Sequence, residues 1–232
     1  MNIQKYLSEN IGIESDLRKF IRKDNPVIFD VGSCEGEDSI RYSRIFPGCK
    51  IYAFEPIESN FFKAKNNLHI HGVNCVEIYN EALSDNVGVS QMFVSSGHPD
   101  YLPQTNEWDY GNKSSSLLPP KNGQPSWMTY TKKDDIITNT IDNFCLNNNI
   151  QSIDFIHMDV QGCEVMVLSG AKNMLSKIGL LWLEVGMVEF YDGQPMKSDV
   201  IDFLTKNNFT ILKDTCPNIN GDILAKNNEY NG

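Results

Sequence analysis

The chain has 232 residues, of which 41% are hydrophobic and 22% are charged, and its formal net charge is −10 at pH 7. This length fits one large domain with a substantial core, and the composition is ordinary for a globular protein. The acidic balance argues against binding to nucleic acid or to an anionic membrane surface. No stretch approaches the roughly 20 consecutive apolar residues of a membrane span. Residues 1–5 begin no secretion signal, so we expect a single domain in the cytoplasm.

The first part of the chain predicts a regular alternation of strands and helices. Apolar residues at helical spacing predict that residues 1–25 form one broken or two short helices, ending before Pro26. Beyond them the pattern predicts a strand over 27–31, a helix over 37–46, a strand over 50–54, a helix over 57–71 and a strand over 74–79. Three strands joined by two helices form a right-handed βαβαβ unit, which implies a parallel sheet.

A long polar segment interrupts this alternation. Residues 87–94 alternate as an exposed edge strand does, and residues 96–126 are rich in Ser, Gly, Pro and Asn. An insertion of this length is either a functional lid or disordered. The chain then predicts a returning strand over 127–130, a short helix near Ile141, a strand over 153–159, a helix over 163–176, a strand over 178–185, a helix over 198–207 and two last strands over 209–213 and 222–225.

The first predicted strand ends in a motif typical of a ligand pocket, Asp30-Val31-Gly32-Ser33-Cys34-Glu35-Gly36. A buried strand that stops at an acid and turns through glycines into a helix builds a nucleotide-sized pocket, because glycine lets a ligand approach the backbone. The spacing D-x-G-x-x-x-G is not the G-x-G-x-x-G fingerprint that seats a pyrophosphate. It favours a sulfonium cofactor, which has no phosphate and needs a carboxylate near its cationic end. A strand-to-helix turn without a ligand is the alternative.

A second acid follows the second predicted strand. Glu55, followed by Pro56, lies 23 residues after Gly32, the separation that a βαβ unit predicts. A carboxylate at this position can accept hydrogen bonds from both ribose hydroxyls, although a surface acid favoured by the helix dipole is the alternative. Glu81 and Ala82 follow the third strand and would lie beside the adenine.

The candidates for catalysis follow the next two strands. Asp159 ends the fourth strand at the crevice where ligands bind, and with Glu164 it can orient a substrate hydroxyl, bind a metal or face the sulfonium. The alternatives are a helix cap for Asp159 and a first-turn dipole partner for Glu164. His157 points to the same strand face as Asp159 and is suited to act as a base. Glu184 ends an apolar strand and has to find a partner or face the crevice. Asp159 and Glu184 are the predicted ligands if a divalent ion is used, although no His or Cys spacing demands one.

Further short motifs extend the pattern along the chain. Together the motifs are Asp30-Val31-Gly32 with Gly36, Phe54-Glu55-Pro56, Ala82-Leu83-Ser84-Asp85, Ser115-Ser116-Leu117, Thr140-Ile141-Asp142, residues 156–164, Gly170-Ala171, Leu183-Glu184-Val185 and residues 191–195. In this order they resemble the FkbM family of S-adenosylmethionine-dependent O-methyltransferases. The resemblance implies a Rossmann-like class I methyltransferase fold of the α/β class: a mostly parallel seven-stranded sheet with its last strand antiparallel, helices on both faces, and a long insertion between strands three and four.

The resemblance also implies a reaction and a set of site residues. The expected function is transfer of a methyl group from S-adenosylmethionine to a hydroxyl of a sugar, glycan or secondary metabolite. The residues expected to contact the cofactor are Asp30, Gly32, Ser33, Cys34, Glu35, Gly36, Glu55, Pro56, Glu81, Ala82 and Asp159, and those expected to line the reaction centre are His157, Asp159, Glu164 and Glu184. Such sequences usually have Lys and Glu where this chain has His157 and Gln161. A nicotinamide-dependent oxidoreductase or epimerase and an inactive cofactor-binding scaffold are the alternatives.

Overall fold

The computed structural model describes residues 3–9, 11–102 and 110–230 of the chain. The helices are α1 (Ile3–Ser8), α2 (Glu14–Phe20), α3 (Glu37–Ile45), α4 (Glu58–Ile70), α5 (Ile141–Asn147), α6 (Glu164–Ser169) and α7 (Lys197–Lys206). The strands are β1 (Val27–Val31), β2 (Lys50–Phe54), β3 (Val76–Tyr79), β4 (Ala82–Leu83), β5 (Gly88–Gly97), β6 (Met128–Asn139), β7 (Ile153–Met158), β8 (Ile178–Gly186), β9 (Phe209–Asp214) and β10 (Asn220–Asn227). No helix within these described ranges has both the length and the apolar character needed to cross a bilayer.

Seven of the strands form one sheet in the order β3-β2-β1-β7-β8-β10-β9. The pairs from β3 to β8 are parallel, whereas β10 is antiparallel to both β8 and β9. This confirms the predicted fold class and its antiparallel last strand. The register aligns Val31 at the end of β1 with Phe54 of β2 and Met158 of β7. The three loops that follow these strands therefore begin side by side at one edge of the sheet, where parallel α/β folds bind ligands.

Both faces of the sheet are buried, as expected where helices cover a parallel sheet on either side. Neighbouring residues of β1 lie in different apolar clusters, since successive side chains of a strand point to opposite faces. Phe29 packs with Phe54 and Phe144 in the larger cluster, and Ile28 packs with Tyr42 in the other. This packing fixes the loops that follow the strands.

The chain between β3 and β7 forms a small second sheet in the order β4-β6-β5, in which the two long strands β5 and β6 are antiparallel. We call this part of the chain the insertion. The strand predicted over 87–94 extends to Gly97, and the strand predicted over 127–130 continues to Asn139. The Lys-Lys-Asp-Asp run of β6 has poor strand propensity, but pairing with β5 overrides it. The part of the predicted lid at residues 103–109 lies outside the described residues.

One predicted helix is shorter than the sequence pattern indicates. The helix predicted over 163–176 ends at Ser169, and a short 3₁₀ turn at Leu175–Lys177 follows it. At Gly170 a Cβ atom would lie 2.1 Å from the Ser84 carbonyl oxygen, so the chain passes too close to the insertion for any other residue. The helix therefore ends at a close contact with a distant segment of the chain. Helical periodicity in the sequence does not reveal such a contact.

Candidate active site

Hydrogen bonds join the loops at the carboxyl ends of β1, β2 and β7. The Gly32 and Ser33 amides each donate to the Phe54 carbonyl at 3.0 Å, and the Asp159 amide donates to the Val31 carbonyl at 3.0 Å. Gly32 has φ +84°, and a Cβ there would lie 2.0 Å from the Asp159 carbonyl oxygen. The contact between the first and third loops therefore requires glycine at position 32.

A first cavity opens between these loops and the insertion. We call it the Glu55 cavity. Its lining includes six of the predicted site residues: Gly32, Cys34, Glu55, Pro56, Ala82 and Asp159. Apolar side chains of Ile57, Met92 and Leu117 complete one side, and the insertion supplies polar Asn112 and Lys113.

The Glu55 carboxylate is buried in this cavity and bound at both oxygens. Oε2 accepts a hydrogen bond from the Cys34 amide at 2.9 Å, and Oε1 accepts one from the Ile57 amide at 2.7 Å. Burial raises the pKa of Glu55 to about 8, although the two amide hydrogen bonds oppose this shift. Each carboxylate oxygen has a second lone pair for a ligand donor.

A second cavity, the His157 cavity, adjoins the first and shares Gly32, Cys34, Lys113 and Asp159 with it. Its lining carries charges of both signs: Lys113, Arg41 and His157 against Glu37, Asp38, Asp159, Glu184 and Asp222. Ser33, 3% exposed, also lines it. The Ser33 Oγ and the His157 Nδ1 are buried and have no hydrogen-bond partner among the described residues. Buried polar atoms without partners are rare in proteins, and here they point to a polar ligand.

The imidazole of His157 lies among carboxylates. Its Nδ1 is 3.5 Å from Asp30 Oδ1 and 3.9 Å from Asp38 Oδ2. Burial opposes protonation of the imidazole, but the charges of Asp38, Asp30 and Asp159 outweigh it and raise the pKa of His157 to about 9. His157 is therefore cationic at neutral pH, which suits it to hold an anionic group better than to accept a proton.

A third cavity lies on the other side of the loop that follows β7. We call it the Tyr191 cavity. It is lined by amide, aromatic and small side chains and by two acids: Ser114, Gln124, Pro125, Met128, Gln161, Gly162, Glu164, Glu184, Val185, Gly186, Phe190, Tyr191, Gln194 and Asn220. The Tyr191 hydroxyl donates to the Ser114 carbonyl at 2.7 Å and contacts Gln161 Oε1 at 2.9 Å. The insertion thus closes the cavity on one side.

Gln161, which has φ +54°, lines both the Glu55 and the Tyr191 cavities. Its Nε2 donates to Asp159 Oδ1 at 2.6 Å and to Glu184 Oε2 at 2.9 Å, so one amide joins both carboxyl groups. Burial and the negative charges of Asp159 and Glu164 raise the pKa of Glu184. Burial also raises the pKa of Glu164 to about 7, although the backbone amides of Gly162 and Val160 bind its carboxylate.

Four predicted site residues line none of these cavities: Asp30, Glu35, Gly36 and Glu81. Asp30 accepts a hydrogen bond from Ser39 Oγ at 2.5 Å, and Gly36 caps α3 with φ +80°. Glu35 accepts from Asn112 Nδ2 at 3.1 Å, and Glu81 accepts from Asn139 Nδ2 at 3.2 Å. These residues contact the loops and the insertion, and their expected roles stay predictions.

Asn112, Gln161 and Tyr191 are among the residues at the cavities that were not predicted as site residues. Gln161 and Tyr191 lie inside motifs that carry the family resemblance, which was the available signal. Asn112 has no such signal, because only the folded insertion brings it to the Glu55 cavity. Among the described residues, no group of three or more His, Cys, Asp or Glu side chains is arranged to hold a metal ion.

Comparisons with known proteins identify the family of the chain. The model of the FkbM methyltransferase domain matches residues 30–211. The chain is 27% identical over 222 residues to the 2-O-methyltransferase NoeI of Sinorhizobium fredii, and the match covers 95% of the chain and 87% of that protein.

Two solved structures share the fold at low sequence identity. One is the magnesium protoporphyrin IX methyltransferase of Synechocystis with bound S-adenosylmethionine (TM-score 0.52, 12% identity, 97% of this chain and 79% of that chain). The other is an rRNA methylase of Streptococcus thermophilus (TM-score 0.50, 12% identity, 92% and 93%). Together with the family match, which covers most of the chain, these findings favour a methyl donor over a nicotinamide cofactor. The chain belongs to the FkbM family of S-adenosylmethionine-dependent methyltransferases.

Proposed function

We propose that the protein transfers a methyl group from S-adenosylmethionine to a hydroxyl group of a sugar, a glycan or another small hydroxylated metabolite. The observation that carries this proposal is the meeting of three cavities at Asp159, Gln161 and Glu184. Three cavities suit the three parts that the reaction brings together: the adenosyl group, the amino-acid end of the cofactor and the acceptor.

The Glu55 cavity fits the adenosyl group. Glu55 offers a free lone pair on each oxygen for the two ribose hydroxyls, and the apolar side chains of Ile57 and Met92 suit the faces of an adenine. Gly32, which lines this cavity, lets the loop after β1 lie against the loop after β7, since a Cβ there would lie 2.0 Å from the Asp159 carbonyl oxygen.

The His157 cavity fits the amino-acid end of the cofactor, which carries both an ammonium and a carboxylate. A zwitterion needs partners of both signs, and this lining has them. The cationic His157, which lines this cavity, and the Ser33 Oγ, which has no partner among the described residues, are suited to the carboxylate. Asp38 and Asp222 supply negative charge for the ammonium.

The Tyr191 cavity fits a neutral acceptor with several hydroxyl groups. Gln124, Gln194 and Asn220 provide donors and acceptors without charge, and the rings of Phe190 and Tyr191 provide apolar faces. NoeI is described as a 2-O-methyltransferase, which supports oxygen as the receiving atom.

The sulfonium cofactor supplies an already activated methyl group, so the protein has to position the reactants and accept a proton. Asp159 is the proposed base, because its Oδ1 is held at 2.6 Å by Gln161, which lines both the Glu55 and the Tyr191 cavities. Because its pKa is raised, Glu184 is the carboxyl group beside Asp159 that keeps its proton. Gln161 holds the two groups in place from between them.

Methyl transfer from labelled S-adenosylmethionine to a panel of sugars, glycans and hydroxylated metabolites tests the proposal. We expect label in a hydroxyl-bearing acceptor, in a bond stable to mild base, as an ether is and an ester is not. Label only in amines or carboxylates would contradict the proposal. Binding of S-adenosylhomocysteine with no transfer to any acceptor would favour the inactive scaffold.

At pH 9, where the carboxyl group of Glu55 is ionised, Glu55→Gln is expected to weaken S-adenosylhomocysteine binding by about 10- to 100-fold, because hydrogen bonds to charged groups contribute roughly 1.5–3 kcal/mol each. A glutamine keeps one acceptor oxygen and turns an amide donor toward a backbone N–H. Calorimetric titration of the variant and the wild type measures the change. An unchanged affinity would show that Glu55 does not bind the ribose hydroxyls.

The same variant has a stability signature with a defined sign. The pKa of Glu55 is about 8 in the folded state and 4.5 for the unperturbed group, so between these values the folded state binds more protons than the unfolded state. The free energy of unfolding therefore falls as pH rises through this window. Glu55→Gln removes this loss. The free energy of unfolding of the variant relative to that of the wild type, measured by urea denaturation, should therefore be higher at pH 8.5 than at pH 5.

S-Adenosylmethionine binding is expected to release more protons than S-adenosylhomocysteine binding, because only the former carries a positive sulfur. A cation near Asp159 and Glu184 lowers the raised pKa of Glu184 and that of Glu164. The affinity for S-adenosylmethionine, divided by the affinity for S-adenosylhomocysteine, should therefore fall as pH falls from 8 to 6. Calorimetry in two buffers of different ionisation enthalpy measures the protons released, and equal release for both ligands would contradict the expectation.

A further inference from the structure

Asn112 lies on the 3₁₀ turn Tyr110–Lys113 of the insertion and lines the Glu55 cavity. Its side chain is buried, with 9% of the residue exposed. Its Oδ1 has no hydrogen-bond partner among the described residues. A buried carbonyl oxygen without a donor is energetically costly, so this atom is expected to have a partner when the site is filled.

The orientation of the Asn112 amide is fixed by its neighbours. Nδ2 donates to Glu35 Oε1 at 3.1 Å and to Asn60 Oδ1 at 3.3 Å. The Asn60 amide is itself oriented, because its Nδ2 donates to the Asn112 backbone carbonyl at 3.2 Å. A flipped Asn112 would direct its oxygen at the Glu35 carboxylate. The unpartnered atom is therefore the oxygen, an acceptor that requires a donor from a ligand.

We propose that Asn112 is a cofactor-binding residue whose Oδ1 accepts a hydrogen bond from the adenosyl group. Asn112 lines the Glu55 cavity and not the His157 cavity, so the adenosyl donors, and not the ammonium, lie within its reach. These donors are the adenine amine and the ribose hydroxyls. The inference rests on the proposed position of the adenosyl group, and it makes the insertion part of the cofactor site.

The test pairs a variant with altered ligands. Calorimetry measures the affinities of wild type and Asn112→Ala for four ligands: S-adenosylhomocysteine, its inosine analogue, which has an oxygen in place of the amine, its 2′-deoxy analogue and its 3′-deoxy analogue. We expect Asn112→Ala to bind S-adenosylhomocysteine about tenfold more weakly. We also expect one analogue to bind both proteins equally, because the hydrogen bond is already missing. If the inosine analogue binds both proteins equally, the amine is the donor. If a deoxy analogue does so, the missing hydroxyl is the donor.

Lys63→Ala is the matched control. The Lys63 ammonium lies 3.3 Å from the same Glu35 oxygen but lines no part of the cavity, so its removal should leave all affinities unchanged. If Asn112→Ala does not fold, as judged by circular dichroism, Asn112→Ser takes its place. Equal losses for every ligand at position 112 would overturn the inference while leaving the cofactor site intact. No S-adenosylhomocysteine binding by the wild type would overturn the proposed function as well.

Discussion

Gly32→Ala is expected to abolish cofactor binding and to destabilise the fold more than a comparable glycine replacement elsewhere. The new Cβ would lie 2.0 Å from the Asp159 carbonyl oxygen, a backbone atom that cannot move without shifting the loop after β7. The left-handed conformation at φ +84° adds roughly 1–2 kcal/mol for a residue other than glycine. Binding is expected to fall by more than about 100-fold, because the loop that moves also carries Asp159.

Gly72→Ala is the matched control. Gly72 has φ +66°, but a Cβ there would meet no atom within 4 Å. It therefore carries only the conformational cost, roughly 1–2 kcal/mol, with unchanged affinity for S-adenosylhomocysteine. Urea denaturation and calorimetric titration of both variants separate strain from the loop clash. If Gly32→Ala behaved as Gly72→Ala does, the close contact between the two loops would be unimportant.

Asp159→Asn is expected to lower kcat by about 100-fold or more, since a positioned base contributes roughly 10²–10⁴-fold. An asparagine keeps an oxygen that can accept from Gln161 Nε2, which now lies 2.6 Å from Oδ1. The geometry of the junction is thus retained while the proton acceptor is removed. S-Adenosylhomocysteine affinity should change by less than the rate does.

The measurement is a rate assay with the acceptor that the labelling panel identifies, together with calorimetry. Asp202→Asn, an exposed position on α7, controls for the change in net charge and should leave both quantities unchanged. A variant Asp159→Asn with the wild-type rate would exclude Asp159 as the base. Glu184→Gln would then become the decisive variant, since Glu184 lines both the His157 and the Tyr191 cavities.

The large sheet was predictable because its strands are short apolar runs separated by helices with clear stops. The strand at 27–31 and the acid at Glu55 follow from local patterning, and their side-by-side position follows from the rules for parallel sheets. The family resemblance supplied the antiparallel last strand of this sheet.

The features that local patterning did not reveal depend on contacts between distant segments. The strand β6 continues through Lys132 and Asp134 because β5 pairs with it, and α6 ends where Gly170 meets the Ser84 carbonyl. Asn112 comes within 3.1 Å of Glu35, a residue 77 positions earlier in the chain. No local pattern encodes such contacts, and for this reason the residues that the insertion adds to the Glu55 cavity required the structure.

A crystal structure of the protein with S-adenosylhomocysteine tests the central claim most directly, because it locates each part of the ligand. We expect the ribose hydroxyls within hydrogen-bond distance of both Glu55 oxygens, the adenine against Ile57 and Met92, and the sulfur beside Asp159. A ligand seated in another cavity, or an adenosyl group out of reach of Glu55, would contradict the account.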